Sequence, residues 1–418
     1  MRSYRDLFST PEFTPLFLAS AGHVAGQTMS GLALGTLVHA ATGSPLLTAL
    51  AMFGPSLAQV LGATLLLSAA DRLPPRAALT GIALLFATGT AVQALPGMPL
   101  WGTFAVLLCL GMAGALGGGV RYGLVNEVLP KDGYVLGRSL LNMCAGAMQV
   151  AGFALGGLLV VALSARGALL TGAGLYLVSA CATRFGLSRR AARAQGRPSV
   201  AQTWRTNGLL WSDRSRRRVL LALWVPNGLV VGAESLFVSY APRQAGLLFA
   251  CAAGGMFLGD VLVGRFVPAS WRPRLGVPLL LLLASPYLLF ALRPATPLTL
   301  TLAALASVGF AASLVQQERL MALTPPSLSG HALGLHTSGM LTMQGVAASL
   351  AGTLAQLTSP ATAITVMAAL SLTVTLTLAP GLRAGSAGPG ASPATEEPRT
   401  TEEPRTTEET EGAAPRAV

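Results

Sequence analysis

Apolar runs of about 20 residues follow one another along nearly the whole 418-residue chain, separated by short breaks such as Gly43–Pro45, Pro96–Pro99 and Pro294–Pro297. A helix of that length crosses a bilayer core of roughly 30 Å, so each run is a candidate membrane span. Twelve are predicted, at 13–38, 46–69, 77–95, 99–121, 139–163, 167–187, 219–241, 245–266, 275–292, 297–319, 332–356 and 361–380. Only 11% of residues are charged, against about 25% in soluble domains. The sequence is therefore that of an all-α, polytopic membrane protein. Its net charge of +12 is first an orientation signal and gives no reason to expect a nucleic-acid partner.

The chain repeats itself. The stretch Gly62–Arg76 (GATLLLSAADRLPPR) passes from apolar helix into a charged, Pro-broken turn. An offset of 193 carries Gly62, Arg72 and Pro75 onto Gly255, Arg265 and Pro268. An offset of 195 carries Pro130, Leu140, Met148, Gln149 and Gly157 onto Pro325, Leu335, Met343, Gln344 and Gly352. A near-constant offset at both ends of two halves implies one six-helix unit present twice. The expected organisation is a first six-helix half (1–187), a basic linker (188–218), a second half (219–380) and a tail (381–418). The tail carries TEEPRT twice, at Thr395–Thr400 and Thr401–Thr406, and has too little apolar surface to bury a core.

Orientation follows from the basic residues. With both termini cytoplasmic, the outer loops hold only Arg166, Arg243 and Arg293 of the 28 Lys and Arg. The reverse topology would place the cluster Arg184–Arg218 outside, against the positive-inside bias. The linker, with Trp204 and Trp211 among its basic residues, is expected to lie on anionic lipid. The four cysteines, Cys109, Cys144, Cys181 and Cys251, each stand alone in an apolar run and read as small buried packing residues.

Two six-span halves, a basic central loop and a charged turn between spans 2 and 3 together resemble the major facilitator superfamily over about residues 7–380. The family's turn motif reads Gly-x-x-x-Asp-Arg-x-Gly-x-Arg-Arg. This chain matches it at Asp71, Arg72 and Arg76 and departs at Leu67 and Pro74. Within the superfamily, Arg121–Val161 resembles bacterial exporters of the siderophore and macrolide type. Their span-5 motif Gly-Pro-x-x-Gly-Gly appears here as Gly152-Phe153-Ala154-Leu155-Gly156-Gly157, with Phe153 in place of Pro. The resemblance implies the major facilitator fold, alternating access and a cytoplasmic latch in which Asp71 pairs across the halves when that side closes. Candidate partners for Asp71 are a helix N-terminus near His331–His336 or Arg121. Arg72 and Arg76 read equally as topological anchors, and Asp260 with Arg265 is the candidate gate pair of the second half.

The embedded polar residues supply the remaining candidates. Glu234 lies in span 7, roughly 12 Å of helix rise from Pro242. An ionised carboxylate in hydrocarbon costs several kcal/mol, so Glu234 must face protein or water. It reads as a proton-coupling or substrate residue, or as a hydrogen-bonding partner of another span. Asn227 stands seven residues earlier on the same face. Ser20, His23, Gln27 and Ser30 form one polar stripe on span 1. Asn142 and Gln149 on span 5 match Thr337 and Gln344 on span 11, and span 9 is almost wholly apolar. Gly152 and Gly156, one helical turn apart, with Gly157 beside them, read as plain packing or as a hinge that seals one side of a cavity. The run Gly117–Gly119, inside a span, reads as close packing and not as a phosphate loop. Enzyme signatures such as HExxH and GxSxG are absent from the sequence.

These residues together describe a secondary transporter, expected to export a small, partly apolar organic molecule against protons, with Glu234 as first and His23 as second coupling candidate. Uptake, or a receptor or scaffold role without transport, are the alternatives. No cofactor, metal or nucleic acid is expected. The partners are substrate, protons and lipid, and the expected form is a monomer. The near-exclusive use of Arg, with Lys131 the single Lys, points to a GC-rich bacterial genome, and hence to a bacterial inner membrane.

Overall fold

The computed structural model describes residues 4–66, 73–130, 133–191, 200–268 and 270–384. Asp71, Arg72 and the TEEPRT tail lie outside them. After a short helix α1 (Tyr4–Phe8), six long helices follow: α2 (Phe13–Thr42), α3 (Pro45–Leu66), α4 (Pro75–Gln93), α5 (Leu100–Val128), α6 (Tyr134–Ala162) and α7 (Ala165–Gly186). The linker contributes α8 (Val200–Ser212). Span 7 is α9 (Arg214–Glu234) continued by α10 (Phe237–Tyr240), and span 8 is α11 (Ala245–Val261) ending in a π turn, Leu262–Phe266. Span 9 is α12 (Arg272–Ala284), tightened into a 3-10 stretch over Ser285–Leu292. Span 10 is α13 (Thr296–Val308) and α14 (Ala312–Ala322), and the last two spans are α15 (Ser329–Leu357) and α16 (Pro360–Ala384).

Ten of these stretches are long and apolar enough to cross a membrane. The other two, α2 and α15, run to 30 and 29 residues but carry the embedded histidines, amides and hydroxyls, which lower their hydropathy. Large apolar side chains such as Leu158, Val161 and Phe185 are exposed, as expected where lipid is the neighbour. Cys144 is buried, as the sequence implied, but Cys109 and Cys181 are exposed and Cys251 only half-buried. An apolar run does not say which side of its helix meets protein, and these two cysteines fall on the outward side.

The two halves pack alike. In the first, α2 lies against α6 and α7, α3 against α5, and α4 against α5 and α7. In the second, α9 lies against α15 and α16, α11 against α13, and α12 against α13 and α16. The repeat seen in the sequence marks equivalent contacts. A Cβ at Gly62 would strike the backbone of Met112, two spans on, and one at Gly255 would strike the backbone of Ala304, also two spans on. Lipid tails are as apolar as leucine, so small residues that admit a neighbouring backbone hold such helices together.

Contacts between the halves run mainly through two helix pairs, α3 with α15 and α6 with α11, and α10 adds contacts to α2 and α3. Many lie at the ends away from the linker. There, a Cβ at Gly157 would sit 2.7 Å from the Cα of Gly246, and one at Gly352 would sit 2.7 Å from the Cα of Leu46. Ser44 Oγ donates to Gln356 Oε1 over 3.3 Å, and Ser239 Oγ approaches His39 Nδ1 at 3.4 Å. Of the glycine trio on span 5, Gly152 and Gly156 face Thr28 and Met29 of α2, inside one half, and Gly157 faces across the seam. Phe153, which stands where the resembled motif has Pro, stacks on Phe249 of α11 with centroids 4.9 Å apart. The departure from the motif thus supplies an aromatic contact across the seam.

The linker helix packs against the second half. Leu210 is fully buried, and Trp211 stacks on Trp224 of α9 at 5.4 Å and 10°. Trp224 in turn donates Nε1–H to the carbonyl of His336 at 3.0 Å. Trp204 is exposed.

A Leu at position 157 cannot be accommodated against Gly246. With spin labels at Ala41 and Thr358 and the native cysteines replaced, Gly157→Leu should lengthen the distance between the far ends of the halves in pulsed electron resonance. An unchanged distance would show that the seam does not depend on this contact.

Candidate functional site

A cavity of about 250 Å³ lies between α2, α3, α4, α5 and α7. From α2 it takes Ser20, His23 and Gln27, from α3 Gln59, from α4 Phe86, from α5 Arg121 and from α7 Ser179 and Thr183. The spacing of three and four on α2 puts the first three on one face. Ser30, the last of the stripe, is buried instead at Gly172. The ring of His23 sits edge-on to Phe86 and Tyr176, with centroids 5.0 and 5.3 Å away.

The hydroxyls lining this cavity are spent on their own helices. Ser20 Oγ donates to the Leu16 carbonyl at 2.8 Å, Ser179 Oγ to Leu175 at 3.1 Å and Thr183 Oγ1 to Ala180 at 3.0 Å. Among the described residues, the side-chain N–H groups on the lining are those of His23, Gln27, Gln59 and Arg121.

The glycines of α5 behave differently from expectation. Gly111 packs tightly on Pro55 and Ala58, but a Cβ at Gly118 would meet nothing within 4 Å, and one at Gly117 would find only Ile82, at 3.8 Å. Gly114, Gly117 and Gly118 line the cavity. The reading of Gly117–Gly119 as close packing is thus corrected for Gly118, while the buried Gly117 lies in ordinary contact with Ile82. Glycine spacing shows that a neighbour could approach, not that one does, and here the room is left open.

Glu234 lies elsewhere. It is 6% exposed, in the core of the second half. Its Oε1 accepts hydrogen bonds from Tyr287 Oη at 2.9 Å and from Ser307 Oγ at 3.2 Å. The carboxyl ties spans 7, 9 and 10 together, and it is not part of the cavity lining. Asn227 is also buried and donates to Ser313 Oγ at 3.3 Å, while its Oδ1 has no partner. Gln149 is half-buried and Asn142 exposed on α6, and Gln344 is half-buried on α15. None of the three lines the cavity. Among the described residues no cluster of His, Cys, Asp and Glu could hold a metal ion.

Of the gate candidates, Arg121 lines the cavity and Arg76 opens α4 within electrostatic reach of Arg184 and Arg189. Asp260 and Arg265 are exposed. The ion pair at that edge joins other residues: Arg272 Nη1 meets Glu318 Oε1 at 2.7 Å, and Arg272 also donates to the carbonyls of Gly264 and Val267. At the start of the linker, Arg190 donates to both carboxylate oxygens of Glu12, at 2.6 and 3.1 Å, and lies 3.6 Å from Glu127. Burial works to raise the pKa of Glu12, but hydrogen bonds from Arg190 and Ser188 outweigh it and hold the carboxyl below the usual range. Sequence reading missed both ties, and a pair such as Glu12–Arg190, 178 residues apart, leaves no local signal.

A family model of the Major Facilitator Superfamily matches residues 16–316. The chain belongs to that superfamily of membrane transporters. No curated protein sequence matches it. Its fold is similar to that of solved transporters. A POT family transporter in complex with 5-aminolevulinic acid aligns with a TM-score of 0.73 at 10% identity, covering 90% of this chain and 99% of that one. A POT family transporter in complex with a thioalcohol-conjugated peptide aligns with a TM-score of 0.71 at 11% identity over the same shares. A mutant of the nucleoside transporter NupG aligns with a TM-score of 0.71 at 14% identity, covering 88% of this chain and 99% of that one.

Two tests address the ties. Glu234→Ala strands the Tyr287 and Ser307 hydroxyls and should lower stability by about 1–3 kcal/mol, with Glu234→Gln losing less, measured by thermal unfolding in detergent; equal losses would show the carboxyl is not their anchor. A carboxyl with a depressed pKa stabilises the fold above its unfolded value and loses that contribution as pH falls through the folded one. The stability gap between the wild type and Glu12→Gln should therefore be present at neutral pH and close in acid.

Proposed function

We propose that this protein is a secondary active transporter that works by alternating access and exports a small, partly apolar organic molecule in exchange for protons. The observation that carries this reading is the cavity itself: a polar pocket walled by five spans of one half, in a fold whose halves meet through glycine contacts at their far ends. Contacts of that kind hold little side chain between the backbones, so they can separate and reform as the halves rock. The linker side is the cytoplasmic side in this reading, both termini lie there, and the membrane is a bacterial inner membrane.

His23 is the better-placed proton carrier, because it lines the cavity. Glu234, the first choice from the sequence, takes the role of cross-tie between spans 7, 9 and 10. The resemblance of Arg121–Val161 to siderophore and macrolide exporters favours export. The POT family neighbours, one of them in complex with a peptide, supply the second reading, uptake of a small polar solute.

Reconstituted into vesicles with a trapped pH dye, the protein should move protons opposite to an added substrate, and His23→Gln should abolish proton movement while substrate counterflow continues. Proton movement in the same direction as substrate would mean symport and favour uptake. Proton flux that survives in His23→Gln would remove His23 from the coupling.

A further inference from the structure

The second half has an opening of its own. A cavity of about 340 Å³ lies around the ends of spans 7 to 10 and 12 that point away from the linker. Ser239, Tyr240 and Gln244 line it on one side, Arg293 and the first turn of α13 on another, and Pro360 where α16 begins. We propose that this cavity binds a small hydroxylated carboxylate from the face opposite the linker, with Arg293 on the carboxylate and the hydroxyl and amide groups of the lining on the alcohols. It shares no lining residue with the cavity of the first half, and the proposal does not depend on the transport reading above.

Three observations support it. The first is the backbone at Arg293. Its φ of 49° and ψ of 58° are left-handed, a conformation that favours glycine. Its N–H closes the 3-10 stretch of span 9 on the Phe290 carbonyl at 3.0 Å, and Pro294 follows it directly. A strained residue caught between a closed helix end and a proline is held firmly, and strain of this kind gathers at ligand sites. What it presents here is a guanidinium on the cavity wall, within electrostatic reach of the Tyr240 hydroxyl.

The second observation is charge. The turns at this end of the molecule, 39–46, 94–100, 163–168, 241–246, 292–298 and 357–361, hold Arg166, Arg243 and Arg293 and no Asp or Glu. Cations on this side run against the positive-inside bias, so orientation does not account for Arg293. Both α13 and α16 begin on the cavity, and the positive ends of their dipoles act in the same sense as the guanidinium. A planar guanidinium pairs with a carboxylate through two parallel hydrogen bonds.

The third is the polar character of the remaining wall. Thr299 Oγ1 gives its proton to the Pro294 carbonyl at 3.0 Å and so offers lone pairs. The Gln244 amide brings two donors and an acceptor, and the hydroxyls of Ser239 and Thr296 can act either way. Alcohols also donate and accept, so a hydroxylated chain satisfies such a wall, whereas a hydrocarbon would leave its groups unpaired.

Gluconate, sorbitol and glucamine share a six-carbon hydroxylated chain and differ in charge, and hexanoate keeps the carboxylate without the hydroxyls. In calorimetric titration of the purified full chain at low salt, gluconate should bind at millimolar concentration, sorbitol and glucamine should not, and hexanoate should bind at least tenfold more weakly. Arg293→Gln should weaken gluconate about tenfold, the worth of a hydrogen bond to a charged group, and Arg293→Lys should recover part of the loss. Both variants should unfold at the wild-type temperature, because Arg293 is exposed. Arg243→Gln removes a neighbouring exposed cation that is outside the lining and should bind gluconate as the wild type does. The proposal is overturned if gluconate does not bind, if sorbitol, glucamine or hexanoate binds as well as gluconate, or if Arg293→Gln binds as the wild type does. An equal loss in Arg243→Gln and Arg293→Gln would also overturn it, by reducing the effect to surface charge.

Discussion

Close approach of helix backbones is the constraint on which the rest of this structure depends. Among lipid tails, packing apolar side chains together gains little over leaving them in lipid, so helices associate where small residues let their backbones touch. Gly62 on Met112 and Gly255 on Ala304 do this within each half. Gly157 on Gly246 and Gly352 on Leu46 do it between halves. The two kinds of contact differ in their surroundings. Those within a half are backed by hydrogen-bonded ties such as Glu234–Tyr287. Those across the seam are flanked by a stacked Phe153–Phe249 pair and long hydrogen bonds of 3.3 Å and more.

The distribution of polar groups follows the same division. The first half places Ser20, His23, Gln27, Gln59 and Arg121 on an open cavity. The second half spends its strongest embedded acid on its own cohesion, with Tyr287 and Ser307 closing around Glu234. An embedded carboxyl is costly unless paired, and pairing it inside one half leaves it poorly placed to follow a substrate. That asymmetry is the physical reason for proposing that ligand contact and proton exchange belong to the first half.

Much of the fold was legible in the sequence, because bilayer thickness imposes a run length that composition cannot hide. The repeat was legible too: the offset that paired Gly62 with Gly255 marks equivalent backbone contacts in the structure. The site was less so. The stripe Ser20, His23 and Gln27 pointed to the cavity because helical spacing is local information. Whether Gly117 meets a neighbouring helix depends on Ile82, more than 30 residues away, and no spacing rule reaches that far. The tie of Arg190 to Glu12 and Glu127 was invisible for the same reason. Glu234 was rightly singled out as a charge in need of a partner, but the sequence could not say that Tyr287 and Ser307 would supply it.

The central claim is that the cavity opens to one membrane face at a time. Single cysteines at Gln27, on the cavity, would be challenged with a membrane-impermeant thiol reagent from each face of sealed vesicles. The account predicts labelling from the linker side at rest, with labelling from the opposite side appearing once a proton gradient and substrate are supplied. Labelling confined to one face under every condition would contradict alternating access in this protein.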